Sequence, residues 1–546
     1  MTCGATIARM RVALAQLNQR VGGLAANLAS LRDAIAHARA AGAAVVVTPE
    51  LSVCGYPPED LLLRPEFIRA CSEALEALAR DARGIVVLAG FPEVDDGRRY
   101  NAVAILREGR VDTVARKACL PNYTVFDEAR YFTPGDAPCV VHIDGVRCGV
   151  LVCEDVWWPG PAQRARAAGA QLLLVPNASP YHTAQHLLRR QSVAARAREC
   201  GLPIVYVNAI GGQDELVFDG ASFVADAHGE VIQQLPAWRE CIATAEFDGA
   251  VPRAVRGGLD PALEPHVYDA LTLGVRDYAG KNGFADVVLG LSGGIDSALT
   301  LAIAADALGP AHVHAVMLPS PYTSAMSVED ARTMAGTLGV RYDEWPITGT
   351  LEAALEALRA GDCAGVVEEN LQARIRGMLL MALSNREGGL LLSTGNKSEM
   401  AVGYATLYGD MAGGFAVLKD VAKSLVYRLA RYRNTLGEAI PERVLARPPS
   451  AELRHDQTDQ DVLPPYDVVD AIIAGYVEEQ RSPHDLIAAG LPAAAVRDVV
   501  RRIERNEFKR RQAAPGVRIT PRSFGKDWRY PITSGWTGVE PETRLP

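Results

Sequence analysis

No run of 18 apolar residues occurs in this 546-residue chain, so no stretch is long enough to cross a bilayer as a helix. Its opening residues, 1–11, hold no apolar core of the kind that directs a chain to export. Ten cysteines are scattered without one Cys-x-x-Cys pair, which fits neither a zinc site nor a small disulfide framework. These shortages point to a reducing cytoplasm. Basic charge is short as well: the formal net charge is −9, whereas nucleic-acid binders usually carry a basic excess. Neither a nucleic-acid nor a membrane partner is expected. The sequence has no internal repeat and no low-complexity tract. It also lacks any Gly-x-x-x-x-Gly-Lys-Ser/Thr, so no Walker lysine cradles a phosphate here.

What remains is an ordinary globular composition, 49% hydrophobic and 22% charged, in a chain too long for one core. Both halves alternate apolar strand-like runs with helical spacing, which predicts an α/β fold. In the first half the strand patterns are 10–17, 43–47, 85–89, 102–106, 139–143, 146–152, 172–175 and 204–208, with a helix bearing Leu28, Leu31, Ala34, Ile35 and Ala38. Proline and glycine then break the pattern near 251–260, which predicts domains over 1–255 and 266–546 joined by a linker at 256–265. In the second half strands are expected at 287–291, 313–318, 342–347 and 390–393, and helices at 298–308, 327–338 and 368–385. Strand–helix alternation of this kind implies a doubly wound parallel sheet, with ligand at the carboxyl ends of the strands.

The second half opens on Val287-Val288-Leu289-Gly290-Leu291-Ser292-Gly293-Gly294-Ile295-Asp296-Ser297, a strand, a Ser/Gly loop and a helix start. That order sets backbone N–H groups and a positive helix N-terminus around an anion. Gly293 and Gly294 allow close approach, and Ser292 and Ser297 add hydroxyls. Asp296 would repel phosphates unless a cation lay between them, which argues for Mg2+. Ser-Gly-Gly-x-Asp-Ser resembles the pyrophosphate loop of the N-type ATP pyrophosphatases, enzymes that adenylate a substrate and release pyrophosphate.

In the first half, three polar residues stand at strand ends: Glu50 after Val45-Val46-Val47, Lys117 in Ala115-Arg116-Lys117, and Cys153 after Gly149-Val150-Leu151-Val152. With the surroundings Phe126-Asp127-Glu128-Ala129-Arg130-Tyr131-Phe132 and Asn177-Ala178-Ser179-Pro180-Tyr181, they resemble the nitrilase family of carbon–nitrogen hydrolases, whose triad is Glu, Lys and Cys. The resemblance implies an α-β-β-α sandwich in which Cys153 is the nucleophile, Glu50 the base and Lys117 the group that favours thiolate and oxyanion, with Glu128 in support. For glutaminases of this type it implies glutamine contacts at Tyr123, Glu154 and Ser179. Gln185 occupies a position where the family often has a basic residue, and Arg189 is the expected partner of the α-carboxylate.

The motifs Met317-Leu318-Pro319-Ser320, Glu369-Asn370-Leu371-Gln372-Ala373-Arg374-Ile375-Arg376, Thr394-Gly395-Asn396-Lys397-Ser398-Glu399, Tyr408-Gly409-Asp410 and Pro448-Pro449-Ser450-Ala451-Glu452-Leu453 resemble those of NAD synthetases, in the same order. Joined to a nitrilase-type half, the whole resembles the glutamine-dependent members of that family. The resemblance implies ATP contacts at Ser292, Gly293, Gly294, Ile295, Asp296, Ser297 and Thr394, and magnesium at Asp296 and Glu399. It implies that Asn370, Arg374, Glu399, Asp410, Lys423 and Lys509 meet nicotinic acid adenine dinucleotide (deamido-NAD), although Phe508 stands where relatives often have His. The expected substrates are deamido-NAD, ATP and L-glutamine, and the expected assembly is a homo-oligomer, a dimer or higher, paired through the second domain. Two other readings remain at this point: an amidase whose second half senses nucleotides, and a tRNA-modifying enzyme, which the acidic balance disfavours.

Overall fold

A computed structural model describes residues 9–255, 262–358 and 365–536. The chain divides into two compact units, 1–260 and 261–546. The expected linker lies mostly outside the described residues. Its last part, 263–265, is instead the first turn of the helix Leu263–Asn282.

In the first unit, one seven-stranded sheet has Val45–Val47 at its centre, parallel to Arg9–Gln16 on one side and to Val86–Asp95 on the other. An antiparallel meander, Arg98–Arg107 and Arg110–Arg116, completes one edge. A six-stranded sheet is built on the parallel run Val146–Val150, Leu172–Asn177 and Ile204–Asn208. Period-two alternation decides the layering. Val12 and Leu14 pack with Val45, Val47, Cys148, Leu172, Leu174 and Val205 between the two sheets. Ala13, Ala15 and Val46 turn the other way, against Leu31, Ile35, Leu75 and Leu78 of the helices Leu24–Ala40 and Pro65–Ala79. On the second sheet Leu173, Val175 and Tyr206 meet Ala162, Ala165, Val193 and Ala197 of the helices Pro159–Ala167 and Gln185–Cys200. The result is an α-β-β-α sandwich. Because both faces of each sheet are covered, Val45–Val47 is buried at every position and reads as an unbroken apolar run.

The second unit holds a five-stranded sheet in which each neighbouring pair is parallel: Arg341–Glu344, Val313–Met317, Val287–Gly290, Leu390–Ser393 and Phe415–Ala416, in that spatial order. Winding reverses between Val287–Gly290 and Leu390–Ser393, so a crevice opens beyond the carboxyl ends of those two strands. The helix Ile295–Leu308 starts there, with Gly294 as its N-cap and Gly309 ending it. It is apolar almost all round because Leu263–Asn282 and Lys423–Thr435 cover its outer side. The expected strand 342–347 is shorter. After Glu344 the amides of Trp345 and Ile347 bond to Met317 and Pro319 carbonyls, turning the chain into the helix Thr348–Ala357. Beyond residue 440 lies a helical region that periodicity did not assign, with a core of its own around Val469, Ile472, Val499, Ile503, Phe524 and Trp528.

Two candidate active sites

Four strand ends of the first unit converge on one buried cluster. Lys117, which follows Arg110–Arg116, lies 2.6 Å from Glu50 Oε1 and 2.8 Å from Glu128 Oε1, and its side chain is 1% exposed. Glu50 also accepts from Asn101 Nδ2 at 2.7 Å and, on its other oxygen, from the Ala178 amide at 3.1 Å. Glu128 accepts from the Tyr56 hydroxyl at 2.8 Å. Cys153 sits at the elbow between Val146–Val150 and a short 3-10 turn, with φ near +44°, a left-handed conformation that non-glycine residues rarely adopt and that marks functional positions.

Charge in this cluster is finely divided. Burial works against the Lys117 ammonium, yet Glu128 and Glu50 outweigh it and hold its pKa well above the usual value. Burial, and then the charge of Glu50, pushes Glu128 up to about 7 despite Lys117. The Cys153 thiol is pushed up by burial and by Glu50, while Lys117 and the Ala178 amide only moderate the rise. Lys117 therefore pulls toward the thiolate without outweighing burial and Glu50. The resting group is a neutral thiol, and its proton must move as it attacks.

Around the thiol, Glu154 is buried and accepts from Tyr123 Oη at 3.0 Å and from Trp158 Nε1 at 3.0 Å. Ser179 Oγ accepts from Gln185 Nε2 and Arg189 Nε, each at 3.1 Å. Arg189 does not stand free for a carboxylate: its other donors go to Asp219 at 2.6 Å and to the carbonyls of Ser179 and Pro180. It holds the Ser179 loop instead. Asn101, Tyr56 and Asp155 were missed by sequence reasoning. Asp155 accepts the amides of Ala118, Cys119 and Val152, which ties the segment after Lys117 to the Cys153 elbow. A lone polar residue inside a strand or turn carries no signal by itself.

In the second unit a cavity of about 280 Å³ opens at the crevice, lined by Ser292, Gly294, Ile295, Asp296, Ser297, Thr394, Glu399, Asp410 and Lys423, among others. Ser292 and Ser297 hydroxyls lie 3.0 Å apart, and the Gly294 amide donates to Ser292 Oγ. Gly293 faces away from the cavity: a Cβ there would lie 2.3 Å from the Ser327 carbonyl oxygen, at φ +78°. Its own carbonyl accepts from Arg447 at 2.8 Å. Lys423 pairs with Asp296 at 2.5 Å and Glu399 at 3.4 Å, and Asn396 Nδ2 donates to Asp296 at 2.8 Å. The neighbouring Lys397 turns outward to Glu478, Asp420 and Thr520, so residues 394–399 are anchored on one side and present ligands on the other.

The donor set fits magnesium. Burial, and then the like charge of Asp296, raise Glu399 to about 8, a repulsion a dication would relieve. Among the described residues no group of three His, Cys, Asp or Glu side chains is arranged to hold a metal. Two carboxylates suffice for Mg2+ when phosphates and water complete its shell.

Three expected contacts are not in the cavity wall. Asn370 accepts from Thr406 Oγ1, Arg374 donates to the Leu407 carbonyl, and Lys509 donates to the carbonyls of Gly403 and Ala405. All three brace the 403–410 segment, whose Thr406, Gly409 and Asp410 do reach the wall.

Comparison with known proteins now adds to this geometry. Residues 11–256 match the carbon–nitrogen hydrolase family and residues 267–513 match NAD synthase, so the chain joins an amide-cleaving class of unit to a nucleotide-dependent amidating one. Among curated relatives, the glutamine-dependent NAD(+) synthetase of Xanthomonas campestris pv. campestris (strain 8004) is 48% identical over 98% of this chain and 100% of its own length. That of Acinetobacter baylyi is 47% identical over 96% and 98%. The structure of the synthetase from Acinetobacter baumannii, solved with ADP, covers 97% of this chain and 100% of that one with TM-score 0.79 at 45% identity. A more distant fold relative, from Cytophaga hutchinsonii, gives TM-score 0.84 at 23% identity over 96% and 98%. The chain belongs to the glutamine-dependent NAD(+) synthetase family.

Proposed function

We propose that this chain makes NAD from deamido-NAD, ATP and glutamine, releasing AMP, pyrophosphate and glutamate. The observation that carries the reading is that one chain holds both a buried Glu–Lys–Glu cluster beside a cysteine and a switch-point cavity with a Ser-Gly-Gly-x-Asp-Ser loop. At the first site Cys153 attacks the side-chain amide carbon of glutamine as its thiol proton passes to Glu50. Lys117 meets the negative charge developing on the carbonyl oxygen. The C–N bond breaks as Glu50 returns the proton to nitrogen, ammonia leaves, and a thioester remains. Water activated by Glu50 then releases glutamate. Tyr123 and Trp158 hold Glu154 in place, where its carboxylate suits the α-ammonium of the substrate. Ser179 and Gln185 offer neutral hydrogen-bonding groups beside it.

At the second site the nicotinate carboxylate attacks the α-phosphorus of ATP, the bond to the bridging oxygen breaks, and pyrophosphate leaves. Ammonia then adds to the acyl carbon and AMP departs. Adenylation is needed because a carboxylate is a poor electrophile and AMP a good leaving group. Asp296 and Glu399 would hold Mg2+, which supplies positive charge against the phosphates. Lys423 supplies a fixed cation beside them, the Ser292–Ser297 loop supplies backbone donors, and Thr394 a hydroxyl. Asp410, in the cavity wall and pushed up to about 6 by burial, would orient ammonia or the ring. This reading places the enzyme in the cytoplasm, which the eight unpaired cysteines among the described residues support. It also makes it a homo-oligomer joined through the second unit, open to test by sedimentation.

NAD and AMP formation from deamido-NAD, ATP and magnesium tests the reading, with glutamine or ammonium as nitrogen source. Cys153→Ala should lose synthesis from glutamine and keep synthesis from ammonium. Absence of product from either source with the unaltered chain would sink the proposal.

A further inference from the structure

We infer that Arg376 is a phosphate-binding residue of the synthetase cavity, taking phosphoryl oxygens of a bound nucleotide on its two terminal NH2 groups. Arg376 lies in the helix Val366–Glu387 and is one of the residues lining the cavity, as are Leu318, Thr323 and Ser292. Its Nε donates to the Leu318 carbonyl at 2.9 Å. That bond fixes the guanidinium plane and leaves its outer fork for a ligand. The backbone next to it is also fixed. A Cβ on Gly377 would lie 2.8 Å from the Gly409 carbonyl, so the helix is pressed tightly against the 408–410 segment.

The charge of Arg376 has no matched partner. Lys423, the other cation of the wall, is paired with Asp296 and Glu399. Among the described residues no carboxylate forms an ion pair with Arg376; Glu452 acts on it only through space, and burial lowers its pKa to about 10. It is therefore still a cation at neutral pH. A desolvated cation without a counter-ion is costly unless a ligand supplies the negative charge. The other charged side chains of the wall, Asp296, Glu399, Asp410, Glu452 and Asp459, are carboxylates. A polyphosphate entering such a wall needs local positive charge, and a guanidinium fork matches phosphate geometry in a bidentate way. Arg374, two residues earlier, is exposed and tied to the Leu407 carbonyl, so it cannot do this. Two sources offer the same chemistry, the phosphates of ATP and the pyrophosphate bridge of the dinucleotide.

The inference rests on the synthetase reading above, and its test separates the two. Arg376→Met and Arg376→Lys are made in the full-length chain, and ammonium-driven NAD synthesis is measured with ATP and deamido-NAD varied in turn. Melting temperature and product inhibition by inorganic pyrophosphate are recorded alongside. The expected result is a KM raised about tenfold or more for one substrate in Arg376→Met, smaller in Arg376→Lys, with unchanged melting. A rise for ATP together with weaker pyrophosphate inhibition identifies the ATP phosphates; a rise for deamido-NAD alone identifies the dinucleotide bridge. The inference is overturned if neither KM moves more than about twofold in a variant that melts normally, or if kcat and melting fall together while both KM values hold. Should Arg376→Met fail to fold, Arg376→Lys carries the same KM comparison. Failure of the unaltered chain to make NAD would instead overturn the synthetase reading.

Discussion

Replacing Lys117 with Met removes the one cation from a cluster whose side chains are nearly sealed: Lys117 is 1%, Glu50 0% and Glu128 6% exposed. Breaking a buried ion pair by deleting one partner costs about 3–5 kcal/mol, because the remaining charge is left without compensation. The lower end applies here. Glu128 already sits at about 7, so it sheds its charge by taking a proton at small cost and leaves only Glu50 to be tolerated. Catalysis suffers separately, since loss of a single oxyanion donor costs about 10²–10³ in kcat. Glutamate release and NAD formation from glutamine should both fall by that factor, while NAD formation from ammonium holds, because Lys117 has no part in the second cavity. The double variant Lys117→Met/Glu50→Gln should recover part of the lost melting temperature and none of the lost turnover. The reasoning is refuted if Lys117→Met keeps glutamine turnover within about tenfold of the unaltered chain. It is equally refuted if Glu50→Gln leaves the single variant's melting unchanged.

Glu128 also sets a pH dependence. Its folded pKa of about 7 lies above the usual value near ~4.3, so between those limits the folded state binds more protons than the unfolded one. Its contribution to stability is then complete below the lower value and is lost as pH rises through 7. Glu128→Gln should flatten the fall in melting temperature over that window; an unchanged slope would show that another group sets it. At the other site, Gly293→Ala would force a Cβ to 2.3 Å from the Ser327 carbonyl at φ +78°. It should abolish NAD synthesis from both nitrogen sources and leave glutamine hydrolysis measurable; normal KM for ATP in that variant would contradict the packing argument.

Much of this arrangement was legible along the chain, for a definite reason. Glu50 and the Ser292–Ser297 loop each follow an unbroken apolar strand, Cys153 follows one interrupted only by Arg147, and parallel strands buried on both faces send their carboxyl ends to one crevice. Residues on helices were harder. Asn370, Arg374 and Arg376 lie within two turns of Val366–Glu387, and periodicity shows that they face different ways without showing which way the cavity lies. The structure sets Arg376 in the wall and Arg374 outside it. Arg189 failed as a carboxylate partner because its buried counter-ion, Asp219, comes from a distant strand that no local pattern links to it. The charge state of Cys153 was hidden too, since it depends on how deeply Glu50 and Lys117 are buried beside it. Most helices past residue 440 are short and begin at a proline, as at Pro441, Pro465 and Pro483; the longer one, Ala493–Arg505, does carry an apolar face at Val496, Val499, Val500 and Ile503 that the sequence reading left unused.

The two chemistries place opposite demands on one molecule of ammonia. It leaves the first site as a neutral amine only if no proton reaches it, and in bulk water at neutral pH it is captured as ammonium. Ammonium has no lone pair with which to displace AMP, so a synthetase fed through solvent would draw on the small neutral fraction of the pool. Delivery without release to solvent would keep the ammonia neutral, which gives a reason for both catalysts to share a chain. Such delivery would leave a mark that turnover rates alone do not reveal. With unlabelled glutamine as donor and 15N-ammonium in the medium, at a concentration too low to drive synthesis by itself, the amide nitrogen of NAD should remain unlabelled throughout turnover. Label appearing in proportion to the ammonium pool would mean that ammonia mixes with solvent before it is used, and delivery without release would have to be abandoned.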